Sequence, residues 1–132
     1  MTQVLIVDDN RDAADSLGEV LRMMGHAVEV AYSAGAALAR MERFHPDLFL
    51  LDLALPDLDG YELARRLRRV ASKEAKFVAV SGYGSEIGGN LAGNLFDEHI
   101  VKPMAPEALL RVLRLVGHDP VGRGAIGAGQ PE

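Results

Sequence analysis

The chain has 132 residues, 48% of them hydrophobic and 25% charged, and no cysteine. That length suits one domain with a core that needs no staples, and the missing thiols exclude a disulfide framework, a thiolate metal site and a cysteine nucleophile. The formal net charge of −5 argues against a nucleic-acid surface, and no apolar run approaches the roughly 20 residues of a membrane span.

In chain order, the N-terminus MTQVLIVDDN lacks the basic region, long apolar core and cleavage site of a secretory leader, so a cytoplasmic protein is expected. VLIV (4–7) reads as a buried strand. Ala14, Leu17, Leu21 and Met24 then keep helical spacing, with Gly25 as the stop. AVEVAY (27–32) alternates, with Val28 and Val30 on one side, and predicts a more exposed edge strand. Ala34, Ala37, Leu38 and Met41 form a second helical stripe, with Pro46 just beyond. LFLL (48–51) is a second unalternating strand. Leu63, Leu67 and Val70 form the third stripe, and FVAV (77–80) the next buried strand.

In the stretch 82–98, Ile87, Leu91 and Leu95 recur every four residues. Gly88, Gly89 and Gly93 each cost about 1 kcal/mol relative to alanine inside a helix, so a weak, frayed helix is expected. HIV (99–101) is the last strand, and Leu109, Val112, Leu113 and Val116 the last stripe. Residues 117–132 hold five Gly and two Pro with almost no periodicity, which predicts a disordered tail after one domain over 1–116. Strands alternating with helices imply crossover units, and apolar runs without alternation imply strands covered on both faces. The fold expected is an α/β doubly wound parallel sheet.

Ligands of such sheets sit outside the carboxyl ends of the strands. Asp8 and Asp9 follow the first strand, Asp52 follows LFLL, Ser81 follows FVAV, and Lys102-Pro103 follows HIV. Each alone is an ordinary turn former, cap or loop residue. Together they are three acids, a hydroxyl and an ammonium at one edge. Carboxylates packed together repel unless a cation is present, and two or three acids with carbonyls and water suit Mg²⁺. A cation flanked by an ammonium and a hydroxyl suits a phosphoryl group.

LIVDDN (5–10), LLDLALPDLDGYEL (50–63), VAVSGYG (78–84) and HIVKP (99–103), in this order and spacing, resemble the receiver domain of two-component response regulators, over roughly residues 3–116. GYELARRLRR and SGYG look most like receivers attached to hybrid histidine kinases, or small stand-alone ones. The resemblance implies a flavodoxin-like five-stranded sheet in the order 2-1-3-4-5. It implies Asp52 as phosphoacceptor, attacking the phosphohistidine of a histidine kinase or histidine phosphotransfer protein. It further implies Mg²⁺ on Asp9, Asp8, Asp52 and the Ala54 carbonyl, Ser81 as donor to the phosphoryl oxygen, and Lys102 paired with that group or with Asp52. Pro103 in this family follows a cis bond, which would aim Lys102 into the site.

Asp57 and Asp59 read as turn and helix-start residues, with Asp59 placed to cap the helix beginning near Gly60. RRLRR (65–69) reads as a solvated helix face. Many receivers carry an aromatic switch residue where this chain has His99; Tyr83 offers another aromatic. Ala54 stands where the family often has a polar or bulkier residue that influences phosphoryl lifetime, and it leaves space for an attacking water. Output through contact with a downstream protein, or phosphate relay, is expected, from a monomer or weak dimer with no nucleic-acid or membrane partner. The alternative is a receiver-like interaction module that does not cycle phosphate. A Mg²⁺-dependent phosphotransferase or phosphatase on this fold would need a second catalytic acid after Asp52, which Ala54 does not supply.

Overall fold

The computed structural model describes residues 2–82 and 95–117. Its elements, in chain order, are β1 (Gln3–Val7), α1 (Arg11–Met23), β2 (Ala27–Ala31), α2 (Ala34–Arg40), β3 (Leu48–Asp52), α3 (Gly60–Val70), β4 (Lys76–Ser81), β5 (Glu98–Val101) and α4 (Pro106–Arg114). The strands form one five-stranded sheet in the order β2-β1-β3-β4-β5. All four pairings are parallel, with Val4 opposite Val28 and Leu48, Leu50 opposite Val78, and Val80 opposite Ile100. This is the flavodoxin-like order expected. The expected weak helix over 84–95, apart from Leu95, lies outside the described residues, as do Tyr83 and, apart from Gly117, the expected tail.

Period-two alternation sorts the strand side chains into two cores. Leu5, Val7, Phe49, Leu51, Phe77 and Ala79 face α2 and α3, packing on Ala34, Ala37, Leu63 and Leu67. Phe49 and Phe77 stack with centroids 4.2 Å apart. Val4, Ile6, Leu48, Leu50, Val78 and Ile100 face α1 and α4, packing on Ala14, Leu21, Leu109, Val112 and Leu113. Burial on both faces explains why β1, β3 and β4 read as continuous apolar runs while the edge strand β2 alternates.

Helix boundaries follow their caps. Asn10 accepts the Ala13 amide at the start of α1, which ends beside Gly25 at φ +98°. Ser33 caps α2 through the Ala36 amide, and Asp59 caps α3 through the Glu62 amide at 2.9 Å. Val70 departs from the expected stripe. It stands at the last turn of α3, beyond the core, and is 63% exposed. Arg65 and Arg66 pair with Glu62 on the solvent face as expected. Arg68 does not: its guanidinium lies 4.3 Å from the Phe77 ring and donates to the Leu95 carbonyl and to Asp97. Among the described residues, no helix is long and apolar enough to cross a membrane.

Candidate functional site

The row of side chains facing α1 and α4 ends in polar residues on three strands. Val4 and Ile6 are followed two residues on by Asp8, Leu48 and Leu50 by Asp52, and Ile100 by Lys102. Alternation therefore aims both carboxylates and the ammonium to one side of one sheet edge. They line the mouth of a cleft of about 470 Å³ whose walls include Ile6, Ala13, Leu17, Leu50, Val80 and Met104.

The Lys102 Nζ lies 3.1 Å from an oxygen of Asp52 and 3.1 Å from an oxygen of Asp8. The remaining oxygens take loop amides: Ala54 N–H donates to Asp52 Oδ1 and Asn10 N–H to Asp8 Oδ1, each at 3.0 Å. Asp9 completes the group, and each of the three acids places an oxygen within 4.8 Å of the others. Asp9 is exposed, whereas Asp52 and Asp8 are only 5% and 8% exposed. Burial pushes the Asp52 carboxyl above its ordinary range, and the neighbouring Asp8 adds to this, against the Ala54 amide and Lys102. Burial alone would lower the Lys102 ammonium, but hydrogen bonds and charge from Asp52 and Asp8 outweigh it and raise its pKa. One ammonium thus faces three carboxylates. This all-oxygen donor set, with negative charge left over, is the chemistry a hard divalent cation takes, and the residues fit Mg²⁺.

Backbone contacts hold the edge together. Asp8 N–H donates to the Ala31 carbonyl, Leu53 N–H to Val80, and Lys102 N–H to Ser81 at 2.7 Å. The Lys102–Pro103 peptide bond is cis. Gly60 closes the β3–α3 loop: its amide donates to the Leu53 carbonyl. A Cβ at Gly60 would lie 2.7 Å from Leu53 Cα and 3.0 Å from the Asp52 carbonyl oxygen, so only glycine fits.

Asp8, Asp9, Asp52 and Lys102 are thus brought together, with Ala54 beside Asp52. Ser81 lies on the opposite row, after Phe77 and Ala79, is 1% exposed, and meets Lys102 through its carbonyl. His99 is half-buried on β5, in register with Ala79.

A residue whose position sequence reasoning missed is Asp57. It does start a helix, but not the one that follows it. Its two oxygens accept the amides of Ala34 and Gly35 at 3.1 and 3.0 Å, the first residues of α2. Those amides, Gly35 first, hold its carboxyl below the ordinary range. The available signal was faint: α2 has no acid in its own first turn.

Comparison with known proteins agrees with this geometry. Residues 4–114 match the family model described as response regulator receiver domain. The chain is 35% identical over 117 residues to the sensory transduction protein RegX3 of Mycobacterium tuberculosis, covering 88% of this chain but 51% of RegX3. A receiver domain (CheY-like) from Methylobacillus flagellatus superposes with a TM-score of 0.79 at 36% identity, covering 86% of this chain and 97% of that one. The response regulator TrrA of Thermotoga maritima, solved in complex with Mg²⁺-BeF, gives a TM-score of 0.76 at 28% identity, covering 87% and 99%. Receivers are signalling domains of two-component systems, phosphorylated by histidine kinases, rather than enzymes of the ordinary kind. With the match running from β1 through the last residue of α4, the chain belongs to the response regulator receiver domain family.

Proposed function

We propose that the chain is a phosphoaccepting switch, phosphorylated on Asp52 by a histidine kinase or histidine phosphotransfer protein. The observation that carries this reading is the Asp52 carboxylate: buried, fixed by the Ala54 amide, and flanked by Lys102 and two further acids at the mouth of a cleft. Asp8, Asp9, Asp52 and the Ala54 carbonyl would hold Mg²⁺, which supplies charge neutralisation to the phosphoryl oxygens and to the incoming carboxylate.

The chain's own part is positional. An Asp52 oxygen forms a bond to phosphorus as the phosphorus–nitrogen bond of the donor phosphohistidine breaks, and the imidazole leaves with that electron pair. Lys102 already spans Asp52 and Asp8, so it is placed to exchange a carboxylate for a phosphoryl oxygen. The Ser81 hydroxyl, one residue beyond the β4 position level with Asp52, is the candidate for the remaining donor role. His99 and Tyr83 are the candidates for reporting the change to a downstream protein. Ala54 puts a methyl group where a larger side chain would screen the acyl phosphate, which favours a short phosphoryl lifetime through attack by water.

Intact-mass measurement after acetyl phosphate and Mg²⁺ tests the reading. Wild type should gain one phosphoryl group and Asp52→Asn none. A chain that gains none under any donor is the interaction module that does not cycle phosphate.

A further inference from the structure

The β3–α3 loop carries Ala54 and joins Asp52 to α3. Its two ends are anchored locally. Leu53 N–H and Ala54 N–H are taken by the Val80 carbonyl and the Asp52 carboxylate, and the exit is set by the Gly60–Leu53 hydrogen bond and the Asp59 cap. Between these ends, Leu55 and Leu58 lean on the α2–α3 core. Asp57 reaches in another direction. Its carboxylate accepts two amides on α2, more than twenty positions earlier in the chain. With Ser33 Oγ on Ala36 and the Ser33 carbonyl on Ala37, these bonds satisfy all four amides of the first turn of α2.

The geometry assigns Asp57 as a positioning residue for the phosphoacceptor site: by fastening the β3–α3 loop to the start of α2, it fixes the Ala54 carbonyl beside Asp52 and so sets how tightly the site holds a divalent cation. This rests on the reading of Asp8, Asp9, Asp52 and Ala54 as the Mg²⁺ site. Asp57 touches neither cation nor phosphoryl group and acts through the loop. Its two bonds tie that loop to the helix following β2, and β2 is in turn bonded to the end of β1 through Ala31 and Asp8. A two-point attachment also fixes the direction of the loop, which a single bond or an apolar contact does not. Partners that hydrogen-bond a metal ligand directly typically cost about 10–100-fold in affinity when removed; Asp57 acts one step further out, through the loop, so the low end of that range is expected.

Two substitutions separate positioning from simple stabilisation. Asp57→Ala frees the loop and uncaps α2, whereas Ser33→Ala removes a cap from the same helix turn without touching the loop. Mg²⁺ titrated calorimetrically into the full chain should bind Asp57→Ala about 10-fold more weakly than wild type. It should bind Ser33→Ala as wild type, and Asp57→Asn, which keeps one acceptor, in between. Equal affinity in wild type and Asp57→Ala, or an equal loss in Ser33→Ala, overturns the inference while leaving the phosphoacceptor reading intact. A wild type that binds no Mg²⁺ overturns both. Should Asp57→Ala fail to fold, amide exchange in wild type decides. Linkage requires that bound Mg²⁺ slow exchange at Ala34 and Gly35, and unchanged rates there reject the inference.

Discussion

Aspartates occupy both edges of this sheet, and they are treated in opposite ways. At the amino edge, Asp47 Oδ2 accepts the first amide of β1, Gln3 N–H, at 2.9 Å, and Asp97 Oδ2 accepts Phe77 N–H at 2.9 Å. Each also pairs by backbone with the same neighbour, through Asp47 N–H to Gln3 and Asp97 N–H to Phe77, both 2.7 Å. Asp97 further holds Arg68. At the carboxyl edge, Asp8, Asp9 and Asp52 face one another across less than 5 Å, with one ammonium between them. The strand starts present amides that a carboxylate satisfies, so an acid there stabilises the fold. The strand ends gather acids whose charge one ammonium does not balance, and burial raises Asp52 there, so its charge costs stability until a cation offsets it. The same side chain is mortar at one edge and chemistry at the other.

Substitutions at the two edges should therefore differ in sign as well as in readout. The largest effect is expected at Asp52. Asp52→Asn should abolish phosphoryl uptake and yet raise the thermal midpoint of the Mg²⁺-free protein, because a neutral amide removes a buried, repelled charge. A lower midpoint would mean that the Lys102 pair outweighs the repulsion. Next comes Asp97→Ala, which leaves a part-buried amide without its acceptor and removes one of the acceptors that hold Arg68 over Phe77. A loss of about 1–3 kcal/mol in denaturant unfolding is expected, with phosphoryl uptake unchanged. Impaired uptake at wild-type stability would break the division between the edges.

The pH dependence sharpens the same contrast. Asp52 titrates higher in the folded chain than its ordinary 3.8, so the folded state binds that proton more tightly than the unfolded state. Stability from this group is present at low pH and is lost as pH rises through the interval from 3.8 to the raised value. The midpoint advantage of Asp52→Asn over wild type, without Mg²⁺, should grow across that interval and then level off. An advantage that shrinks with rising pH would contradict the assignment. The smallest effect is expected from Asp59→Ala, a helix cap at the exit of the β3–α3 loop whose carboxylate stands outside the acidic group. It should cost about 1 kcal/mol and leave both Mg²⁺ affinity and phosphoryl uptake near wild type, as thermal unfolding and titration would register.

Much of this was legible in the chain itself, for identifiable reasons. Doubly buried strands write themselves as VLIV, LFLL and FVAV, and the alternation of Val28 and Val30 marked β2 as the edge it is. The convergence of Asp8, Asp52 and Lys102 followed from parallel strands ending at one edge, since each residue simply continues its strand. What stayed hidden depends on the path of the chain through space. Asp47 and Asp97 belong to no pattern, because their partners are backbone amides of other strands. Asp57 looked like a turn residue because nothing near it in sequence shows that its loop passes the start of α2. Arg68 read as solvated because periodicity counts turns of α3 but not the position of Phe77 beneath it. Val70 continued an apolar stripe past the end of the core that stripe serves.

Everything assigned to the carboxyl edge depends on Asp52 carrying the phosphoryl group. Borohydride reduction of the protein after acetyl phosphate and Mg²⁺, followed by peptide sequencing in the mass spectrometer, tests it at residue level. An acyl phosphate on aspartate is reduced to homoserine, whereas free carboxylates are not. Homoserine is expected at position 52 alone. Homoserine at position 8 or 9, or at none of the three, would contradict it.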